Sequence, residues 1–125
     1  MKTKLRYLLI IPLIIFISSL CYSYNDINVI GKTPYAYERL TVTNAATVRL
    51  DATYRDASGA VFMTVEDNNI RYRIDGGVPT IVEGHLVVAA AYQNIWLTDP
   101  HSIRNFRMIA TGGDATVLVT YYRRN

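Results

Sequence analysis

Two histidines are the residues best suited to acid–base or metal chemistry. His85 stands at the start of an apolar segment, and His101 follows Asp99-Pro100 in a predicted turn. A catalytic serine or cysteine needs a base and an orienting acid beside it, but the sequence has no Gly-x-Ser-x-Gly motif. It also lacks the His-x-His and His-x-x-x-His spacings of metal ligands. We therefore expect structural or solvated roles for both histidines, and we predict no catalytic, metal-binding or cofactor-binding residue.

Carboxylates offer a second possible site. The run Glu66-Asp67-Asn68-Asn69, with Asp75 and Asp99, could meet at one end of a β-sandwich and bind calcium, although the spacing is not that of an EF-hand loop. Aspartate and asparagine are also common turn formers, which is the interpretation we favour. A hydrolase site built from Asp67, Asp75, Asp99 and His101 is a further alternative, because glycoside hydrolysis needs two carboxylates at a set separation.

Arginines and tyrosines have the composition of a protein interface. Arg71 and Arg73 alternate with apolar residues, and together with Arg104 and Arg107 they could form a basic face that recognises carboxylate or sulfate groups. Such residues also commonly form the solvated side of a strand. Tyrosine and arginine are enriched where proteins meet. The predicted interface residues are Tyr24, Tyr35, Tyr37, Arg71, Arg73, Tyr122 and Arg123.

Residues 1–23 are predicted to be a secretory signal peptide. Basic residues at positions 2, 4 and 6 precede an apolar run over residues 7–17, and small polar residues follow up to Ser23. The run is shorter than the roughly 20 residues that span a bilayer, so cleavage near Ser23 is favoured over an uncleaved anchor. Lipidation of Cys21 is disfavoured because Leu20, which precedes it, is not small. Cleavage removes the only cysteine, so the exported domain would depend on its hydrophobic core for stability.

The charge balance disfavours nucleic acid as a partner. The whole chain carries a formal charge of +3, but three basic residues lie within the first six positions. From residue 24 onward, ten basic residues balance ten acidic ones, and the basic residues are scattered along the chain. A neutral surface is compatible with self-association. We expect a homo-oligomer or other protein subunits as partners, no nucleic acid, and membrane contact only through the signal segment.

Short β-prone segments separated by turn residues indicate an all-β domain. Their length and their spacing of about ten residues are typical of a sandwich or barrel. The Cys-Trp-Cys spacing of immunoglobulin domains is lacking. We predict a signal helix (1–23), an extended arm (24–37) and one antiparallel, jelly-roll-like sandwich of about eight strands (38–125). The predicted strands are Glu38–Thr43, Thr47–Asp51, Ala60–Glu66, Ile70–Ile74, Leu86–Ala89, Tyr92–Leu97, Ile103–Ala110 and Ala115–Tyr122.

Alternation along these strands predicts which side chains face the core. Trp96, between Ile95 and Leu97, is predicted in a strand buried on one or both faces. Asp75-Gly76-Gly77 should end the strand that carries Arg71 and Arg73, because these residues tolerate turn conformations. The predicted inward sets are Val61, Met63 and Val65; Ile70, Tyr72 and Ile74; Phe106, Met108 and Ala110; and Val117, Val119 and Tyr121.

Four segments resemble a known family. They are Ile70–Thr80 (Ile-Arg-Tyr-Arg-Ile-Asp-Gly-Gly-Val-Pro-Thr), Glu83–Leu86, Ile103–Ala110 and Ala115–Tyr121. Together they resemble small β-sandwich proteins found among the structural genes of tailed phages, as virion or capsid-associated proteins. The resemblance covers about residues 46–122. It implies a non-enzymatic domain that packs into a larger assembly, and it carries over no catalytic residues.

Two functions therefore follow from the sequence. The first is a non-enzymatic, exported structural or interaction protein that self-assembles or packs into an extracellular or virion-like assembly. Virion proteins normally assemble in the cytoplasm, so the signal peptide favours an exported assembly over a capsid role. The alternative is a monomeric, glycan-binding module at the cell surface, with Tyr35, Tyr37 and Tyr54 as its aromatic platform.

Overall fold

A computed structural model describes residues 32–91 and 93–124 of the protein. The predicted signal segment, most of the arm and Tyr24 lie outside these residues. The strands are β1 (Pro34–Val42), β2 (Ser58–Val65), β3 (Ile70–Arg73), β4 (His85–Val87), β5 (Asn94–Leu97), β6 (Arg107–Ala110) and β7 (Ala115–Arg123). The described helices are α1 (Ala52–Ala57) and α2 (Pro100–Asn105). The described part of the chain is mostly β, as predicted.

The seven strands form two sheets in which every strand pair is antiparallel. The larger sheet has the order β1-β7-β2-β5, and the smaller one has the order β4-β3-β6. An isolated bridge joins Val48 to Met108 of β6. Because Met108 also pairs with Tyr72 of β3, this bridge adds a one-residue fourth member to the smaller sheet, next to β6.

One hydrophobic core lies between the inner faces of the two sheets. On β7, Val117, Val119 and Tyr121 are fully buried, whereas the residues between them are half-buried. Burying alternate apolar side chains in this way is the main stabilising contribution to a sandwich. The inward sets predicted for β2, β6 and β7 are confirmed. Ile70 of β3 is buried, while Tyr72 and Ile74, which directly follows the strand, are half-buried and pack against the core.

Two predicted strands were wrong in part. Thr47–Asp51 contributes only the single bridge at Val48, because α1 begins directly after it. Ile103–Ala110 begins within α2, and only Arg107–Ala110 is a strand. The expected eight strands are therefore seven strands and one isolated bridge.

The two described helices were not predicted, although each starts with a recognisable cap. The Asp51 side chain accepts a hydrogen bond from the Thr53 N–H at 2.8 Å, and the Asp99 side chain accepts one from the Ser102 N–H at 2.8 Å. Pro100 follows Asp99 in the first turn, where a missing N–H costs little. Each helix has only six residues, too few to show an apolar helical repeat. Neither described helix is long enough to cross a membrane.

Candidate interaction surfaces

The outer side of the larger sheet carries an aromatic row. Tyr37 of β1 and Phe62 of β2 both pair with Thr120 of β7, and Phe62 also pairs with Trp96 of β5. Directly paired residues lie on the same side of a sheet, so one row of side chains crosses all four strands. Tyr122, two residues beyond Thr120 on β7, lies on the same side. We term Tyr37, Phe62, Trp96 and Tyr122 the aromatic face.

The rings of the aromatic face pack on one another. The ring centroids of Phe62 and Trp96 are 4.6 Å apart, and those of Trp96 and Tyr122 are 5.7 Å apart. Both separations are in the range of favourable aromatic pairs. Trp96 is nevertheless 43% exposed and Tyr37 is 61% exposed. The strand β5 is thus buried on one face only, through Ile95 and Leu97, and its tryptophan faces outward.

The loop between β3 and β4 carries a second apolar surface. Val78, Ile81 and Val82 are 53%, 51% and 78% exposed. We term these three residues the aliphatic loop. Leu86, which follows them on β4, is also exposed, so the apolar surface continues onto the strand.

Arg71 and Thr80 hold this loop in place. Arg71 donates a hydrogen bond from Nε to the Ile81 carbonyl at 3.2 Å and another from Nη1 to the Gly84 carbonyl at 2.8 Å. The Thr80 hydroxyl accepts hydrogen bonds from the N–H groups of Val82 and Glu83. Gly84 has φ +120°, and a Cβ there would lie 3.0 Å from a backbone oxygen of β3, so this position requires glycine. These contacts fix the conformation of the loop.

Arg73 closes the base of the loop through two carboxylates. Its guanidinium makes a bidentate ion pair with Asp75, with bonds of 2.6 and 3.0 Å, and a third bond of 3.3 Å to Glu83. The hydrogen bonds from Arg73 are the main reason why the pKa of Asp75 lies far below its ordinary value, and the hydrogen bond from the Gly77 N–H is the second. Arg73, Asp75 and Glu83 line a cleft of about 390 Å³, together with Ile74, Gly84 and His85. Asp75 stays ionised there, so it is unsuited to act as a general acid.

The six predicted interface residues that the structure describes fall into three places. Tyr37 and Tyr122 belong to the aromatic face, and Arg71 and Arg73 bind the loop. Tyr35 and Arg123 lie together: the Tyr35 hydroxyl donates to the Tyr54 carbonyl at 2.7 Å, and the Arg123 guanidinium lies 5.3 Å from the centre of the Tyr35 ring. Their role in an interface stays a prediction.

The tyrosines suggested as a glycan platform do not form one surface. Tyr54 packs on the buried Tyr121 at a centroid distance of 5.3 Å, and Tyr35 is bonded to Tyr54 and to the buried Ser58. Only Tyr37 of the three lies on the aromatic face.

Burial raises the pKa of the Tyr121 hydroxyl well above its ordinary value, and the hydrogen bond to the Glu38 carboxylate raises this pKa further. This hydroxyl donates a hydrogen bond of 2.5 Å to Glu38. Tyr121 is therefore a neutral part of the core at physiological pH.

The candidate hydrolase residues have separate partners. Asp99 caps α2, and His101 contacts the Asn105 amide on the same helix at 3.1 Å. Asp67 bonds Thr116, as described below, and Asp75 is paired with Arg73. In the described ranges, no three His, Cys, Asp or Glu side chains come together as potential metal ligands.

Acid should weaken the contact between Asp67 and the start of β7. The Asp67 carboxylate accepts hydrogen bonds from the Thr116 N–H at 2.6 Å and the Thr116 hydroxyl at 3.0 Å. The first of these is the main reason why its pKa is lowered. A lowered folded-state pKa contributes stability above the unfolded value of about 3.9 and loses it as the pH falls through the folded value. Asp67→Asn should therefore give a shallower decline of melting temperature below about pH 4 than the native chain shows.

Melting curves between pH 2 and 7 would measure this slope. Asp114→Asn, at an exposed carboxylate in the same region, is the matched control, and the acid slope of Asp67→Asn should be shallower than that of this control. An equal acid slope for Asp67→Asn and the native chain would contradict the assignment.

Sequence reasoning missed Phe62, Trp96 and the aliphatic loop as surface residues. Phe62 stands between Val61 and Met63, and Trp96 between Ile95 and Leu97. Both residues could have been identified from strands whose side chains are apolar on both faces, because one face of the sheet is exposed to solvent. The signal for the loop is the presence of three aliphatic residues in the short segment between Gly77 and Gly84.

Comparison with known proteins gives no match: no family model fits the sequence, and no curated protein or solved structure is similar to it. The resemblance to phage structural proteins stays a prediction, and the function must be argued from the surfaces themselves.

Proposed function

We propose that this protein is a non-enzymatic, exported structural module that acts by self-assembly or by packing against other protein subunits. The observation that carries the proposal is the aromatic face. The solvent side of an antiparallel sheet is normally polar, whereas this one presents tyrosine, phenylalanine and tryptophan side chains. Aromatic residues are enriched at the centres of interfaces and commonly dominate binding energy there.

The pre-packed rings strengthen the argument for binding. Because Phe62, Trp96 and Tyr122 already contact one another, a partner would not need to order them on docking. Association is more favourable when less side-chain freedom is lost. The face therefore has the composition and the preorganisation of a binding surface.

The finer architecture that we propose is the jelly roll. Its support is the strand order β1-β7-β2-β5 in one sheet and, with the Val48 bridge, Val48-β6-β3-β4 in the other. Jelly rolls serve both as viral capsid subunits and as lectins. The fold alone therefore does not choose between assembly and ligand binding. Export is supported by the signal-type leader in the sequence, and a virion-like assembly is supported by the family resemblance.

Glycan binding is the second candidate, and the exposed Trp96 beside Tyr122 favours it. The C–H faces of a sugar ring pack well on exposed aromatic rings. The tilts of 42° and 37° between neighbouring rings give no flat platform for an extended chain, so we rank this function below assembly.

Light scattering after size-exclusion chromatography tests the proposal on the purified full chain. The native chain should be larger than a monomer at tens of micromolar, and Trp96→Glu should be a folded monomer. Thr41→Glu introduces the same charge at an exposed position of β1, in a row without aromatic residues, and should assemble like the native chain. The comparison also distinguishes assembly through the aromatic face from aggregation through the leader. If the leader caused the association, Trp96→Glu would still associate.

The fluorescence of Trp96 provides an independent readout, because it is the only tryptophan in the chain. Its emission should shift to shorter wavelength as the concentration rises and the aromatic face becomes covered. A native chain that stays monomeric at all concentrations would refute assembly. Saccharide titrations followed by the same emission would then test the glycan candidate.

A further inference from the structure

We propose that Arg49 and Arg107 form a binding site for a tetrahedral oxyanion, a sulfate or phosphate group, on the outer side of the smaller sheet. The aromatic face is the outer side of the other sheet, so this site is separate from it. The inference goes beyond the proposed function and does not depend on it.

Three arginines occupy one row across the outer side of the smaller sheet. Arg73 of β3 pairs directly with Arg107 of β6. Val48 and Met108 exchange two backbone hydrogen bonds, of 2.8 and 3.0 Å. In an antiparallel pair, the residue after one partner lies opposite the residue before the other, so Arg49 lies opposite Arg107, on the side away from Arg73. We term Arg73, Arg107 and Arg49 the arginine row.

The burial of neighbouring residues shows that the arginine row points away from the core. Arg49 is exposed and stands between the half-buried Val48 and the buried Leu50. Arg107 is half-buried, whereas Met108 is fully buried. Side chains of directly opposite residues start about 5 Å apart. The long side chains of Arg49 and Arg107 can therefore reach the same ligand.

Carboxylates neutralise only one end of the arginine row. Arg73 is paired with both Asp75 and Glu83. Neither Arg49 nor Arg107 takes part in any of the ion pairs among the described residues. Like charges directly opposite each other in a sheet are destabilising. Arg49 and Arg107 thus repel each other without the compensation that Arg73 has.

The guanidinium of Arg107 shows a second sign of incomplete pairing. Its Nε atom is buried and has no hydrogen-bond partner within residues 32–91 and 93–124. Burying a donor of a charged group without a partner is costly. An anion bound to the terminal Nη groups would offset both this cost and the repulsion from Arg49.

The acidic side chains closest in sequence are engaged elsewhere. Asp56 is shared between one arginine of α1 and one of α2, each at 3.6 Å. Asp51 and Asp99 cap the starts of the two helices, whereas Arg49 donates from Nη2 to the Arg104 carbonyl, near the end of α2, at 2.9 Å. This bond uses one N–H donor of a group that has several. The remaining donors are suited to an external anion.

The number of guanidinium groups selects the class of anion. A carboxylate has two coplanar oxygens, and one guanidinium binds both of them, as Arg73 does with Asp75. Arg49 and Arg107 offer two guanidinium groups from neighbouring positions. A tetrahedral oxyanion has oxygens in several directions and can accept hydrogen bonds from both groups, and arginine is well suited to such anions. We therefore assign the site to sulfate or phosphate rather than to carboxylate.

Melting temperatures of the full chain test the site, with sodium sulfate and sodium phosphate as probes. An anion that binds the folded chain raises its melting temperature. The titrations are made at constant ionic strength and at protein concentrations too low for assembly. The native chain should be stabilised by both anions. Arg49→Gln and Arg107→Gln should each need about tenfold more anion for the same rise, the effect of losing one charge-assisted contact.

Arg39→Gln is the matched control. Arg39 is exposed on β1, on the outer side of the larger sheet, and its replacement changes the net charge by the same amount. This variant should respond like the native chain. It also accounts for the general stabilisation that sulfate and phosphate give to folded proteins. Circular dichroism verifies the fold of each variant, and the exposed Arg49 keeps the test decisive if Arg107→Gln does not fold.

The outcomes are distinct. A site-dependent response to both anions supports the proposal, and a response to one of them alone assigns the site to that group. An equal rise in the native chain and in the folded site variants would show a general salt effect and overturn the site. An equal, site-dependent rise with sodium acetate would overturn the assignment to a tetrahedral anion.

Discussion

Val119→Asp is expected to unfold the domain, whereas Thr120→Asp should leave it folded. Val119 is fully buried on β7, which lies between β1 and β2, and its paired residues are Glu38 and Met63. An aspartate there would be an unpaired buried charge beside a second carboxylate, and such changes cost about 3–5 kcal/mol or more. A domain of this kind has a total stability of about 5–15 kcal/mol.

The adjacent residue is the matched control. Thr120 lies on the outer side of the same strand and is half-buried, so a carboxylate there can still reach water in the monomer. Far-UV circular dichroism and urea titration of both variants would measure the difference. If Thr120→Asp unfolded the protein and Val119→Asp did not, the register of β7 would be displaced by one residue.

Phe106→Ala is expected to lower the free energy of unfolding by about 3–5 kcal/mol, the range for removing a buried phenylalanine side chain. Phe106 is 1% exposed, follows α2 directly, and stacks on Tyr72 with centroids 5.4 Å apart. It therefore fastens the end of α2 to the smaller sheet. The loss should appear as a lower urea midpoint with an unchanged slope.

Tyr37→Ala is the control for the removal of an aromatic ring. Tyr37 is 61% exposed in the monomer, so at protein concentrations too low for assembly its loss should change the free energy of unfolding by about 0.5 kcal/mol or less. A loss for Phe106→Ala as small as the one expected for Tyr37→Ala would mean that Phe106 is not part of the core.

The sequence predicted the central strands because burial on one face leaves a period of two. Val117, Val119 and Tyr121 of β7 show this period over a long strand, so both the strand and its inward face were found. The strand predicted for Ile103–Ala110 failed for a different reason. Its first residues belong to a helix of one and a half turns, which is fixed by the Asp99 cap rather than by apolar periodicity.

The surfaces depend on long-range strand order, which local patterns do not contain. Tyr37 and Trp96 are far apart in the sequence and share one row only because β7 and β2 lie between their strands. Tyr37 and Tyr122 were predicted to be interface residues from their residue type alone. The sequence did not show that both lie on the aromatic face. The positions of Arg71 and Arg73 on the outer side of β3 follow from alternation, but their bonds to the loop need the path of residues 74–84.

The position of β7 also determines when the protein can fold. Among the described strands, β7 comes last in the chain, and it lies between β1 and β2 in the larger sheet. Until residues 115–123 pair with both of them, β1 and β2 are not linked within this sheet as the structure describes it. Long-range pairing of this kind is slow to form. We therefore expect the larger sheet to close late in folding, through contacts between distant parts of the chain.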